Sequence, residues 1–122
     1  MNWSAVGAGG LALAVALGAF GAHGLKDRLD AYSMGIWEKA VFYHFIHALG
    51  LRVVPVLAKL GALSPGGSTR VCVLLAAGIL LFSGSLYALA LSGTRMLGAV
   101  TPLGGVAFIA GWFLLAWELL RG

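Results

Sequence analysis

The sequence predicts an all-α integral membrane protein, an antiparallel four-helix bundle with up-down-up-down topology. Of its 122 residues, 61% are hydrophobic and only 10% are charged, whereas a soluble domain carries about 25% charged residues. The apolar residues fall into four long runs that are separated by short polar segments. A chain of this length has too little interior to hide so much apolar surface from water. We therefore expect lipid to cover it.

Each apolar run is long enough to cross a bilayer. At 1.5 Å per residue, about 20 helical residues cross a hydrocarbon layer of about 30 Å. Short connections between such helices favour antiparallel neighbours. The chain is thus predicted to form a single transmembrane domain (1–122) with spans at about 3–22, 36–59, 71–93 and 101–120.

The first run, Trp3–Ala22, is uncharged, and no Lys or Arg precedes it. Because a signal peptide normally begins with basic residues, we expect a retained helix. It ends in the stretch GAFGAHGLKDRL, where His23 is followed by charged residues. We expect His23 to cap or bridge the helix end at the membrane boundary without binding a metal. Lys26 belongs to a charged connection, 23–35, that is predicted to lie along the membrane surface as a short helix.

The second run, from Trp37 to Lys59, contains most of the polar residues. At 100° per residue, one helix face carries Ala40, Tyr43, His44, His47, Leu51 and Val54. Glu38 and Arg52 lie on other faces. If the span is centred near residue 48, His47 lies at mid-membrane. Ionisable groups at such depth are costly and are functional hypotheses by default.

The last two runs carry small residues at a spacing of four, as the first run does. Such stripes let helix backbones approach closely in lipid, and we favour packing within this bundle over a dimerisation face. Thr101 is predicted to cap the fourth helix, followed by Pro102 at its first position. The carboxylate of Glu118 is expected to face the bundle interior, because a charge facing lipid there is penalised. The stripes are Gly10, Ala14, Gly18 and Ala22, then Gly84, Ala88 and Ser92, then Ala107 and Gly111.

Several kinds of chemistry can be weighed against a structural role. Haem ligation would need His23 as a second ligand, because His44 and His47 are too close on one helix. The single cysteine excludes a cysteine-built zinc site. A proton relay through Tyr43 and His47 is a further alternative. We favour hydrogen bonds from His47 and Tyr43 to neighbouring helices, and we predict no catalytic residue, no cofactor and no metal.

Arg52 lies inside an apolar stretch and needs either a partner or a route to the interface. Glu118 is its natural ion-pair partner if both lie in the same half of the membrane. Snorkelling of the side chain is the alternative. An anionic lipid headgroup or an acidic group on a partner chain would also offset its charge. We expect Arg52 to point outward, away from the histidine face, and to face another protein surface.

The distribution of charge limits the possible partners and bears on the orientation in the membrane. The net charge is +4, but the cations are scattered and no basic cluster with interleaved aromatics is present, so nucleic acid is excluded as a partner. Four spans place both termini on the same side. The numbers of Lys and Arg on the two sides are nearly equal, so the positive-inside rule decides little. We take the cytoplasmic side for both termini.

Four segments resemble the YgdD-like family of small four-helix membrane proteins, a domain of unknown function (423). They are GAFGAHGL (18–25), the Tyr43-x-x-x-His47-Ala48-Leu49 segment, FSGSLYALAL (82–91) and VTPLGGVAFIAGW (100–112). The resemblance implies a four-helix fold with no established activity. It also implies that His23, Tyr43, His47, Ser83, Ser85, Tyr87, Thr101 and Pro102 occupy signature positions. This chain departs from the family in having His44 where Gln is frequent, and Arg52 where an apolar residue is expected.

Three functional hypotheses follow. The first is a non-enzymatic bundle in the bacterial inner membrane, surrounded by lipid. The second is an accessory subunit of a larger membrane complex or a homo-oligomer. The third is a small transporter or channel whose path is lined by the His47–Arg52 helix. The candidate functional positions are His23, Lys26, Tyr43, His44, His47, Arg52, Ser83, Ser85, Tyr87, Thr101 and Glu118.

Overall fold

A computed structural model describes all 122 residues as helices and short connections. Four of its helical segments are long and apolar enough to cross a membrane, which confirms the predicted all-α membrane architecture. A π-helical turn, Ile79–Ser83, joins α3 and α4 into one continuous segment, and a 3-10 turn, Arg95–Ala99, precedes α5. The helices are α1 (Trp3–His23), α2 (Ala31–Lys59), α3 (Pro65–Gly78), α4 (Gly84–Ser92) and α5 (Thr101–Arg121).

Consecutive segments pack antiparallel, because the start of each contacts the end of the next. One end of the bundle carries Lys59, with Ser4 and Glu118, and is called the Lys59 end. The opposite end carries the connection before Asp30 and is called the Asp30 end. The contacts that give this order are Ser4–Arg52 and Gly21–Trp37 for α1 and α2, Ala40–Ser83 and Gly50–Leu75 for α2 and the third segment, and Gly67–Glu118 and Gly104–Phe82 for the third segment and α5.

The second helix begins earlier than the sequence predicts. The carboxylate of Asp30 accepts a hydrogen bond from the Ser33 N–H at 2.7 Å, and this cap starts α2 at Ala31 rather than near 36. The same bond lowers the pKa of Asp30 below its ordinary value. The connection Gly24–Asp30 is consequently a run of turns, and the prediction of a surface helix over 23–35 is wrong. With α2 extended, His44 lies closer to its middle than His47 does.

The third segment begins earlier than predicted, whereas the fourth helix begins at Thr101 as predicted but without the predicted cap. Ser64 accepts a hydrogen bond from the Gly67 N–H at 2.9 Å, so α3 begins at Pro65 and includes Arg70. The prediction that Thr101 caps the fourth helix is wrong. Its hydroxyl hydrogen-bonds to the Ser85 hydroxyl at 2.6 Å and to the Leu97 carbonyl at 3.4 Å. The Thr101 hydroxyl is used in these two bonds and therefore does not cap the helix.

Helix α2 is the centre of the bundle. It packs against α1 on one side and the third segment on the other, while α5 packs chiefly on the third segment. The face of α2 that carries Tyr43, His44 and His47 is buried or half-buried, as predicted. Glu38 and Arg52, on other faces, are exposed. The main apolar core, near the Lys59 end, consists of Leu51, Val54, Leu63, Val71, Cys72, Leu75, Phe108 and Leu115.

Glycines allow the closest helix approaches. A Cβ on Gly7 would lie 2.6 Å from the Arg52 backbone nitrogen, and one on Gly104 would meet the Phe82 backbone. In the first stripe Ala14 is buried and Gly10 and Gly18 are close to α2, whereas Ala22 is exposed. Ala88 and Ser92 in α4 are also exposed, because other residues occupy its inward face. Those residues are Ser85, Leu86 and Ala90.

Candidate functional site

Polar side chains converge in the middle of the bundle, around His44. The Tyr87 hydroxyl donates to His44 Nδ1 across a distance of 2.8 Å, and the same ring lies near the Gly10 backbone of α1. The consistent assignment is a neutral ring that accepts at Nδ1 and donates through Nε2–H. His44 therefore links α2 to α4 by a hydrogen bond and lies beside α1.

His47 lies one turn further along α2 and bonds within that helix. Its Nδ1–H donates to the Tyr43 carbonyl at 2.7 Å, and its ring stacks on Phe108 of α5 with centroids 3.4 Å apart. The prediction that His47 hydrogen-bonds to a neighbouring helix is wrong; His44 makes that contact. His47 bonds to the Tyr43 backbone and not to its hydroxyl, so the side-chain relay between them is not formed.

The remaining interior polar groups complete the links between helices. The Ser83 hydroxyl donates to the Ala40 carbonyl at 2.8 Å, and the Trp37 indole donates to the Leu17 carbonyl at 3.0 Å. Every fully buried side-chain nitrogen and oxygen has a hydrogen-bond partner. In hydrocarbon an unsatisfied polar group is costly, so this satisfaction stabilises one arrangement of the helices. Ser83, Ser85, Tyr87 and Thr101 thus act as connectors.

The three histidines do not come together in one cluster. No three His, Cys, Asp or Glu side chains come together. His44 and His47 lie one turn apart on α2, and His23 lies apart from them, exposed at the last position of α1. The helix end at His23 is closed by the backbone, since the Gly24 N–H donates to the Phe20 carbonyl at 2.6 Å. The His23 side chain is therefore not the cap that the sequence predicts; Lys26 is exposed in the turn beyond it.

A second cluster of charged groups lies at the Lys59 end, around Glu118. This carboxylate belongs to a residue that is only 3% exposed, which confirms that it faces inward. It lies 2.9 Å from Arg70 Nη2 and 3.5 Å from Arg121 Nε. It also faces the first turn of α3, where a Cβ on Gly67 would be 2.6 Å from Oε2. Glu118 thus connects α3 to α5.

The expected Arg52–Glu118 ion pair is wrong. Glu118 is held by Arg70 and Arg121, while Arg52 is exposed on the flank of α2 that faces α1. The Ser4 hydroxyl contacts the Arg52 carbonyl at 3.4 Å, so Arg52 lies level with the first turn of α1. Its guanidinium therefore needs to extend only a few ångströms to reach the interface.

Sequence reasoning missed Trp37 and Arg70. Trp37 lies seven residues before His44 and so shares its face, a signal that the helical period already contained. Arg70 precedes the third apolar run and Glu118 ends the fourth; in an antiparallel pair those positions lie at the same level. The missing information was that α3 starts at Pro65, which brings Arg70 onto the helix.

Comparison with known proteins also finds membrane proteins. A family described as "Protein of unknown function (DUF423)" matches residues 17–105. A UPF0382 membrane protein of Staphylococcus epidermidis is 48% identical over 114 residues, which cover 89% of this chain and 87% of the relative. UPF0382 membrane protein YwdK of Bacillus subtilis is 52% identical over 104 residues, covering 84% and 83%.

No solved structure matches this chain. The family match covers the second and third predicted spans and parts of the first and fourth, and the relatives are described as membrane proteins. The family resemblance that the four sequence segments indicate is thereby confirmed. This chain belongs to the DUF423 family of membrane proteins.

Proposed function

We propose that this protein is a non-enzymatic membrane bundle that acts through its outer surface, as an accessory subunit of a larger membrane assembly. The observation that carries the proposal is that every fully buried side-chain nitrogen and oxygen has a hydrogen-bond partner within the bundle. His44, Tyr87, Ser83 and Glu118 all bond to other helices. These bonds hold the helices together, and they account for the polar groups that the bundle encloses completely.

The outer surface supports an associating role. Helix α1 packs substantially on α2 alone, and only 17% of its membrane-crossing window is buried. Large apolar side chains are exposed along α1 and α5, among them Leu13, Phe113 and Trp117. In a bilayer such faces meet either lipid or another helix, and close helix contacts need no hydrophobic driving force from water.

The test is extraction of the protein with its native lipid by a styrene–maleic acid copolymer, followed by mass measurement of the discs. The proposal predicts a protein mass above that of one chain, with a defined stoichiometry that survives dilution. Tyr87→Phe, an interior change, is expected to leave that mass unaltered. A monomer surrounded by lipid alone contradicts the accessory role. Ion or solute flux into liposomes carrying the pure chain also contradicts it, because it indicates a transporter or channel.

We also propose that the bundle lies in the bacterial inner membrane with the Lys59 end in the cytoplasm. Each end carries four cations, Arg52, Lys59, Arg70 and Arg121 at the Lys59 end and Lys26, Arg28, Lys39 and Arg95 at the Asp30 end. The acidic residues Asp27, Asp30 and Glu38 are all at the Asp30 end, so the proposal rests on the net charge. Accessibility of a single cysteine introduced at Gly122 or at Asp27, in a Cys72→Ser background, tests the orientation. Labelling of the Asp27 position alone from the outside supports it; the reverse pattern contradicts it.

A further inference from the structure

A cavity at the Lys59 end is bounded by three helices and is basic. It has a volume of about 420 Å³ and lies between the start of α1, the end of α2 and the start of α3. No aspartate or glutamate lines it. The lining residues are Met1, Asn2, Trp3, Ser4, Pro55, Ala58, Lys59, Pro65, Ser68 and Thr69.

Three lining residues offer hydrogen-bond donors to this cavity, whereas the hydroxyls of Ser4 and Thr69 already donate to backbone carbonyls. Lys59 has no acidic partner. The Asn2 side-chain oxygen already accepts from the Ala5 N–H at 3.0 Å, which leaves its amide N–H groups available. Ser68 is only 6% exposed, and its hydroxyl lies beside the Cys72 thiol, a weak partner. A site with free donors and no carboxylate favours an anion.

Arg52 extends this basic surface along α2. It lies seven residues before Lys59 and three before Pro55, so the three share one face of the helix. That face is directed towards the start of α1, where Ser4 contacts the Arg52 carbonyl. Arg52 is exposed, and the one buried carboxylate at this end, Glu118, is already paired with two other arginines. A second cation therefore flanks the cavity without an internal counter-charge.

The depth of the cavity identifies the source of the anion. Helix α1 has 21 residues and covers about the thickness of the hydrocarbon layer, so its first turn marks the interface. Trp3 and Ser4 belong to that turn and line the cavity. Phosphate groups of phospholipids lie at this level, and tryptophan is enriched there. A zwitterionic lipid would also bring an ammonium group, for which the cavity offers no carboxylate.

We propose that the Lys59 cavity, with Arg52 at its rim, binds the phosphate headgroup of an anionic phospholipid. Lys59 provides the main charge, Ser68 and Asn2 donate hydrogen bonds, and Arg52 holds the headgroup from the membrane side. This site goes beyond the accessory role proposed above, and neither depends on the other.

The experiment measures lipid preference with the full chain in nanodiscs of phosphatidylcholine containing increasing fractions of phosphatidylglycerol. Retained lipids are counted by native mass spectrometry. The unsubstituted protein is expected to retain phosphatidylglycerol in excess over its bulk fraction. The double variant Arg52→Gln/Lys59→Gln is expected to lose that excess by about fivefold or more, because each basic residue near an anionic headgroup contributes substantially.

Matched controls separate a built site from general surface charge. Arg28→Gln/Lys39→Gln removes two exposed cations at the Asp30 end and is expected to keep the preference. Ser68→Ala removes a donor without changing charge and is expected to weaken retention about two- to tenfold, whereas Ser92→Ala at the other end is not.

Four outcomes overturn the proposal. The first is equal retention of both lipids by the unsubstituted protein. The second is an unchanged preference in the Arg52→Gln/Lys59→Gln variant, and the third is an equal loss in the control at the Asp30 end. The fourth concerns the ligand: millimolar inorganic phosphate, added to the discs, displaces the retained phosphatidylglycerol. That last result assigns the cavity to a free anion rather than to a lipid.

Discussion

The middle of the bundle and its Lys59 end use polar residues in opposite ways. In the middle, His44 and Ser83 are buried and bond to neighbouring helices. At the Lys59 end, Glu118 is similarly enclosed, but Lys59 and Arg52 face outward without an acidic partner. The difference follows from depth: hydrocarbon penalises an unpaired polar group, whereas the interface supplies water and headgroups. Function is therefore to be sought at the surface and the ends.

The largest effect is expected from a substitution that separates α5 from the third segment in the middle of the bundle. In Gly104→Ala the new Cβ would meet the Phe82 backbone, which cannot move as a side-chain tip can. We expect a loss of stability at or above the upper end of the roughly 1–3 kcal/mol typical of overpacking. In the control Gly105→Ala the Cβ lies 3.8 Å from the Phe82 ring, and the variant should be as stable as the parent or more so. Unfolding by SDS in bicelles measures both; equal stabilities contradict the prediction.

The second effect sharpens the contrast at the Lys59 end. Glu118→Gln keeps the shape of the side chain but removes the charge that Arg70 and Arg121 share. We expect a loss of about 1–3 kcal/mol, less than for a fully enclosed pair, because both arginines are more than half exposed. The same SDS titration applies, with Glu38→Gln as the exposed and unpaired control. An unchanged midpoint for Glu118→Gln would show that the carboxylate contributes shape alone.

A smaller effect tests a single link in the middle. Tyr87→Phe removes the hydroxyl that donates to His44. Hydrogen bonds between membrane helices contribute about 0.6 kcal/mol on average and up to about 1.7 kcal/mol, so a loss in this range is expected. The exposed Tyr32→Phe is the control. A double-mutant cycle with His44→Leu isolates the pair, and a coupling energy of zero would refute the link between α2 and α4.

The smallest effect is local and concerns the Asp30 end. Because the folded-state pKa of Asp30 is lowered, its stabilising bond to Ser33 is fully present above the ordinary aspartate pKa of about 3.9. It is lost as the pH falls further, through the lowered folded value. The Ser33 amide proton should therefore shift below pH 4 in an NMR titration. Asp30→Asn caps without titrating and should show no such shift; a shift in both proteins contradicts the assignment.

The buried face of a helix could be predicted from the sequence, because side chains on one face recur with the helical period. The buried face of α2, with His44 and His47, and the inward Glu118 follow from spacing and from the penalty on charge in lipid. The starts of α2 and α3 did not follow, because caps by Asp30 and Ser64 add turns to helices whose apolar runs begin later. The residues added to the start of α2 shift its middle towards His44, and those added to the start of α3 place Arg70 on that helix.

By itself the sequence determined a four-span membrane protein of this family, since apolar length and composition act on each segment separately. Only the tertiary structure decided which polar groups meet. Arg70 replaced Arg52 as the partner of Glu118, and His44 rather than His47 joined the helices. Such pairings depend on how far one helix is shifted along another and how it is rotated. The periodicity of a single helix gives no information about either quantity. The physical reason is that packing at Gly7, Gly67 and Gly104 fixes those offsets.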